Sequence, residues 1–232
     1  MKPFWMWPAK AGLIAIGILC VSAGSASAQF VTYSVRAAFD TAAGGGLSIA
    51  NFQGLDNQSF QTLSHANQAS IPAGVTFSSS GGGASDLFAA PAGFNGNSAI
   101  ATTSLFANFF GTPLFASFSP NVSAVGADVI PFDFNGATAT IAITVHQPGG
   151  GSTSYQITPP QGVSGFFGVI ATGGNTIDQI TYAPPSGFTA GVDNFEFGTA
   201  VPEPGSVAVF AFMSAGGLLA RASSKKGGRG RR

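Results

Sequence analysis

Cysteine occurs once in these 232 residues and tryptophan twice, while Asp, Glu, Lys and Arg together make up 8%. Cys20, Trp5 and Trp7 all fall within the first twenty residues, so the rest of the chain holds neither residue type. That rules out a disulfide, a thiolate metal site and a cysteine nucleophile there. Cys20 follows the bulky Leu19, where a lipoprotein signal needs a small residue, and reads as an ordinary apolar residue. Histidine is nearly as scarce. His65 and His146 alone are too few for a zinc site, which takes three or four nitrogen or sulfur ligands. Positive charge is scarcest of all in the middle: between Gln29 and Ala200 the one basic residue is Arg36. It stands against Asp40, Asp56, Asp86, Asp128, Asp133, Asp178, Asp193 and Glu196. A stretch this acidic argues against nucleic acid as a partner, since phosphate binding needs clustered Lys and Arg.

The missing positive charge is at the ends. Lys2 and Lys10 precede an apolar run from Ala11 to Val21, and Ala26-Ser27-Ala28 follows. Basic start, short apolar core and small residues are the three parts of a secretory signal, with Ala26 and Ala28 at the positions a signal peptidase reads. The run is short for a membrane span, which takes roughly 20 residues. Residues 1–28 are therefore expected to be a cleaved signal peptide.

At the other end, Val207 to Ala220 is apolar apart from Ser214, and Arg221, Lys225, Lys226, Arg229, Arg231 and Arg232 follow. Fourteen helical residues reach about 21 Å, a marginal span of a hydrocarbon layer ~30 Å thick. Pro202 and Pro204 stop a helix from running back into the preceding residues. The basic end would stay cytoplasmic by the positive-inside rule, leaving the middle of the chain outside. That agrees with the N-terminal signal.

Val201-Pro202-Glu203-Pro204, Gly-Ser, the short apolar span and the basic terminus, in that order, resemble the PEP-CTERM sorting signal of Gram-negative bacteria. The resemblance covers residues 201–232, and its basic end is spread through Ser-Ser-Lys-Lys-Gly-Gly rather than packed against the span. It implies recognition by an exosortase, which cuts near Pro-Glu-Pro. It further implies transient anchoring in the inner membrane, then release to the cell surface or an exopolysaccharide-rich extracellular matrix, as in a biofilm.

Residues 29–200 read as a single β domain. Ala137 to His146 alternates Ala139, Ile141, Ile143 and Val145 with Thr140, Ala142, Thr144 and His146, a period of two. A Pro-Gly-Gly-Gly break lets Thr153–Thr158 return beside it. Further strands are expected at Ser48–Phe52, Val75–Ser79, Leu87–Ala89, Ala99–Thr103, Leu114–Phe118, Ser123–Val129, Phe166–Ile170, Ile177–Tyr182 and Asn194–Phe197. One helix is expected over Thr32–Ala43, on its alanines, ended by Gly44-Gly45-Gly46. Many short strands and one helix predict a mainly β fold, an antiparallel β-sandwich flanked by the signal peptide and the C-terminal apolar helix. Nineteen of the 22 phenylalanines lie in this body, and single rings such as Phe52, Phe77, Phe118, Phe167, Phe195 and Phe197 are expected to fill the core. Phrases such as Asn51-Phe-Gln-Gly-Leu55 and Val192-Asp-Asn-Phe-Glu-Phe197 resemble the jelly-roll bodies of PEP-CTERM proteins, similar to galactose-binding-like sandwiches.

Chemistry-bearing constellations are thin. The calcium that some such sandwiches hold needs several charged oxygens, and Asn51 and Gln53 stand where carboxylates would be, leaving Asp193. No metal or other cofactor is expected. His65 has no Gly-x-Ser-x-Gly elbow near it, and His146 falls on the Thr face of its strand. Asp193 and Glu196, three apart, would take opposite faces of a regular strand. Two functions follow: a non-enzymatic surface or matrix protein whose body is structural or binds polysaccharide, and a secreted polysaccharide hydrolase. Exposed aromatics in a groove would favour the first. Two carboxyls roughly 5–9.5 Å apart in a cleft would favour the second.

Overall fold

The computed structural model describes residues 30–201, apart from 82 and 84. The expectations for residues 1–28 and for Pro202 onward, including Ala26, Ala28, Glu203, Pro204 and the basic cluster, lie outside them. Among the described residues no helix is long and apolar enough to cross a membrane.

The chain forms a mainly β sandwich of two sheets in which every described strand pair is antiparallel. In order the strands are β1 (Phe30–Tyr33), β2 (Ser48–Ala50), β3 (Ser59–Phe60), β4 (Thr62–Ser64), β5 (Val75–Ser79), β6 (Leu87–Ala90) and β7 (Ser104–Ala107). The longer ones follow: β8 (Leu114–Val122), β9 (Ala124–Phe132), β10 (Ile141–His146), β11 (Ser152–Ile157), β12 (Gly165–Ala171), β13 (Ile177–Ala183) and β14 (Thr189–Gly198). The larger sheet runs β1-β12-β9-β14-β7-β6-β3, with β2 also paired to β14, and the smaller runs β11-β10-β13-β8-β5-β4.

Alternation sends one side of each strand into the space between the sheets. From β10 come Ile141, Ile143 and Val145; from β9 come Val125, Ala127 and Val129; all are buried. Phenylalanines bind the layers together, as expected: Phe77 of the smaller sheet meets Phe52 at 5.3 Å and Phe195 at 5.0 Å, both edge to face. Such pairs add about 0.5–1.5 kcal/mol beyond the area they bury.

The outer face of the larger sheet is covered twice. The helix α1 (Arg36–Ala43) lays Phe39 and Ala43 over Ala124 and Ile170 near one end. Near the other, the irregular segment 91–103 lays Ala99 and Ile100 over Phe106, Ile130 and Phe132. The outer face of the smaller sheet has no such cover among the described residues.

Several boundaries differ from the sequence expectation. The expected helix begins four residues late, because Phe30–Tyr33 pairs with Gly168–Ala171 of β12 instead. Pairing to a sheet edge outweighs the weak helical preference of Thr and Tyr. Gly44 ends the helix as expected, at φ 77°, donating back to the Asp40 and Thr41 carbonyls. Ala99–Thr103 is not a strand: its apolar residues face down as a cover, while Thr102 and Thr103 donate to the carboxylates of Asp193 and Asp56. The strand follows immediately, as β7. Ala137–Thr140 also stays irregular, and pairing starts at Ile141.

Candidate functional site

Between the two covers on the larger sheet lies a polar cluster built around the body's one basic residue. Arg36, the first residue of α1, forms ion pairs with Asp128 of β9, at 3.1 Å, and with Glu196 of β14. It also donates to the Asn194 carbonyl at 3.2 Å, and its guanidinium lies 4.6 Å from the Phe166 ring centre. A guanidinium suits this position because its planar fork reaches two carboxylates and stacks on a ring. Asp193 completes the group. It accepts from the Thr102 hydroxyl and from the Asn194 backbone N–H. Burial holds the Asp193 carboxyl above the ordinary aspartate value, outweighing those hydrogen bonds, and the facing Asp128 pushes the same way.

Asp193 and Glu196 share a face, contrary to the regular-strand expectation. The β9–β14 register shifts between them, and Asn194 takes a left-handed φ of 45°. One extra residue in β14 flips the alternation, so Val192 and Phe195 point inward while Asp193 and Glu196 both point outward. The Asn194 side chain then donates to Asp128 at 2.9 Å. Three carboxylates are thereby gathered, but Asp128 and Glu196 are paired with Arg36, Asp193 is held by Thr102 and the Asn194 N–H, and none of the three lines the grooves of the two faces. General acid–base work needs a carboxyl within reach of substrate.

The apolar groove of this face opens beyond the segment 91–103. It is a cavity of about 180 Å³ walled by Phe88, Phe94, Phe106, Phe110, Phe132 and Phe134, with Asn108 and Thr189 as its polar groups. The rings form a continuous chain: Phe106–Phe132 at 5.7 Å, Phe132–Phe134 at 5.7 Å and Phe134–Phe110 at 5.4 Å. Phe132 is core, but Phe110 is 44% and Phe134 is 68% exposed. These two are rings on loops, not core rings, whereas Phe52, Phe77, Phe118, Phe167, Phe195 and Phe197, expected in the core, are all buried. A signal was present: Phe134 sits in Asp-Phe-Asn-Gly, a turn sequence, and Phe109-Phe110 cannot both face one side of a strand. The tyrosines make no comparable surface, since Tyr182 is buried and Tyr33 and Tyr155 are half-buried.

The open face of the smaller sheet is different in kind. Its register aligns two rows across six strands. One runs Ser152, His146, Gln179, Ser117, Thr76, Ser64; the next runs Ser154, Thr144, Thr181, Phe115, Ser78, Thr62. His146 lies on the Thr face, as its alternation predicts, with Nε2 3.1 Å from the Thr181 hydroxyl. His65 is exposed, its Nδ1 2.8 Å from the Ile71 carbonyl oxygen. Asn51 and Gln53 occupy an exposed turn after β2, where the Gln53 N–H donates to the Asn51 side chain. Val201 is exposed, and its N–H donates to the Ala43 carbonyl at 2.9 Å, so the chain leaves the body at the end of α1.

No family model matches this chain, and no curated protein does. Solved structures similar to it include a single-site variant of the family 29 carbohydrate-binding module CBM29-2, at 11% identity and TM-score 0.38, covering 69% of this chain and 99% of that one. TmCBM61 in complex with β-1,4-galactotriose is similar at 12% identity and TM-score 0.29, covering 53% of this chain and 86% of that one. The family 11 module from Clostridium thermocellum, in complex with a mixed-linked tetrasaccharide, shares 13% identity at TM-score 0.27, covering 44% and 77%. At such scores these overlaps assign neither a family nor a ligand to this chain.

Proposed function

We propose that this is an exported, non-enzymatic surface or matrix protein whose β-sandwich binds carbohydrate. The observation that carries the reading is the exposed ring pair Phe110–Phe134 at the mouth of the phenylalanine groove. A pyranose ring presents a face of C–H bonds that stacks on an aromatic ring, and Asn108 at the rim supplies a polar group to orient it. A hydrolase reading has no matching support: of the gathered carboxylates, Asp128 and Glu196 are paired with Arg36 and Asp193 is held by Thr102, and none is set in a groove.

Export and sorting belong to the same proposal. Signal peptidase removes residues 1–28 after Ala26-Ser-Ala28, and an exosortase acts on Val201-Pro202-Glu203-Pro204. The basic residues Arg221, Lys225, Lys226, Arg229, Arg231 and Arg232 hold the tail in the inner membrane until then. The protein afterwards associates with exopolysaccharide. The exit point of the chain is compatible with this order, since Val201 is exposed and Pro202 follows it directly.

Fractionation with intact-mass measurement tests the sorting half. The expected mature species lacks residues 1–28 and the apolar span after Pro-Glu-Pro; a secreted species retaining residues 205–232 would contradict it. A glycan array probed with the exported protein tests the binding half, with retention on at least one polysaccharide expected.

A further inference from the structure

The open face of the smaller sheet has a groove of its own. We infer that it is a second carbohydrate site, a hydrogen-bonding track for a neutral polysaccharide chain lying across the strands, centred on Asp178 and His146. The inference rests on the carbohydrate-binding reading of the body but on different residues.

The first support is charge. Across the six strands of this sheet the one formally charged side chain is Asp178, and the rest of the outward face is mainly Ser, Thr, Gln and His, with Phe115, Ala142 and Ala183. Because the whole body is acidic, an anionic polymer is repelled, while a neutral one meets hydroxyls and amides.

The second is geometry. Rows aligned by register place a polar group at every strand, about 4.8 Å apart, so six strands give a track of about 24 Å. That step is close to the length of one pyranose ring in an extended chain. Phe115, half-buried in the second row, offers a ring for stacking.

The third is an unsatisfied acceptor. The register of β13 against β8 shifts between Ile177 and Gln179, and Asp178 and Gln179 both line a cavity of about 340 Å³ with Ser117, His146, Gln147 and Gly150. Of the Asp178 carboxylate, Oδ1 is buried and no described group donates to it. Leaving a buried carboxylate oxygen without a donor is costly, and a turn of the Asp178 side chain toward the groove would let a sugar hydroxyl supply one. Around it, Gln179 donates to the Ser117 hydroxyl at 3.0 Å, which leaves its own carbonyl oxygen and the serine proton for a ligand. His146 engages Thr181 through Nε2 and keeps Nδ1. Donors and acceptors thus alternate around one carboxylate, as vicinal hydroxyls require.

With the phenylalanine groove on the outer face of the opposite sheet, one molecule would bridge two chains. The test uses the exported protein with soluble mannan and mixed-linked β-glucan as neutral probes and alginate as the acidic one. Affinity is measured by gel retardation and cross-linking by turbidity, with melting curves to confirm the fold of each variant. Asp178→Asn and His146→Ala are each expected to weaken binding to a neutral probe roughly tenfold and to abolish turbidity. Phe110→Ala with Phe134→Ala should also abolish turbidity while retaining binding that Asp178→Asn then removes. Folded Asp178→Asn and His146→Ala variants that bind and cross-link like wild type would overturn the second site and leave the carbohydrate reading standing. Absence of wild-type binding to all three probes would overturn both, and preference for alginate would overturn the neutral assignment.

Discussion

Gly126 of β9 and Gly168 of β12 are register partners, and together they form the floor on which the Phe39 ring of α1 lies. A Cβ on Gly126 would come 2.7 Å from Phe39, and one on Gly168 would come 2.6 Å from it. Two adjacent strands thus give up their side chains at one point so that a helix can sit against the sheet. The same seating brings Arg36 over Asp128 and Glu196.

Gly168→Ala should therefore lift α1 and cost about 1–3 kcal/mol, the usual penalty of overpacking. The φ of neither glycine is left-handed, so the loss is one of space and not of backbone conformation. Chemical denaturation checks it. Phe39→Leu in the Gly168→Ala background should recover part of the loss, because the smaller side chain frees the floor.

Removing Arg36 should be more damaging than removing a surface cation. Glu196 and Asp193 are buried in the cluster, and Arg36 is the neighbouring positive charge. Arg36→Met is expected to cost about 3 kcal/mol, as for other broken buried pairs. Adding Glu196→Gln should restore much of it, a coupling that a double-mutant cycle reads directly. Arg36→Lys should rescue poorly, since an ammonium cannot fork between two carboxylates.

The Asp193 carboxyl gives a pH dependence of definite sign. Its folded value lies above its ordinary value of 3.8, chiefly through burial, so the fold prefers the neutral form. The stability tied to that preference is fully present below the ordinary value and is lost as pH rises through the folded one. Asp193→Asn should accordingly be more stable than wild type at neutral pH, since its amide oxygen can still accept from Asn194 and its NH2 can donate to Thr102. The gap should close as pH falls toward the ordinary aspartate range, as followed by Tm against pH.

Tyr182 carries a buried hydroxyl that no described group partners, and burial pushes its phenol well above the ordinary value. Tyr182→Phe removes the unsatisfied group and keeps the ring. It should raise stability by about 1 kcal/mol, seen as an increase in Tm.

The sandwich was legible from sequence wherever alternation was local. Val75–Ser79 and the Ile141–Val145 pattern are strands whose inward residues are those the period of two selects. The misses come from distant partners. Phe30–Tyr33 is a strand because β12, about 135 residues later, offers an edge, and Ala99–Thr103 is a cover because Phe106 and Ile130 lie beneath it. Counting charges singled out Arg36, but not its partners at 128 and 196. The bulge at Asn194 was the hidden step, though Asn is among the few residues that tolerate its φ. Of the candidate site, the core rings were legible from their strands, whereas the exposed Phe110 and Phe134 are signalled only by their turn sequences, which a count of phenylalanines passes over.

Affinity electrophoresis of the protein through gels containing a neutral polysaccharide tests the central claim most directly, with reducing-end release assayed on the same samples. Carbohydrate binding without catalysis predicts retardation in at least one such gel, weakened by Phe110→Ala with Phe134→Ala, and no release of reducing ends. Unretarded migration in every gel, or release of reducing ends by the wild-type protein, would contradict it.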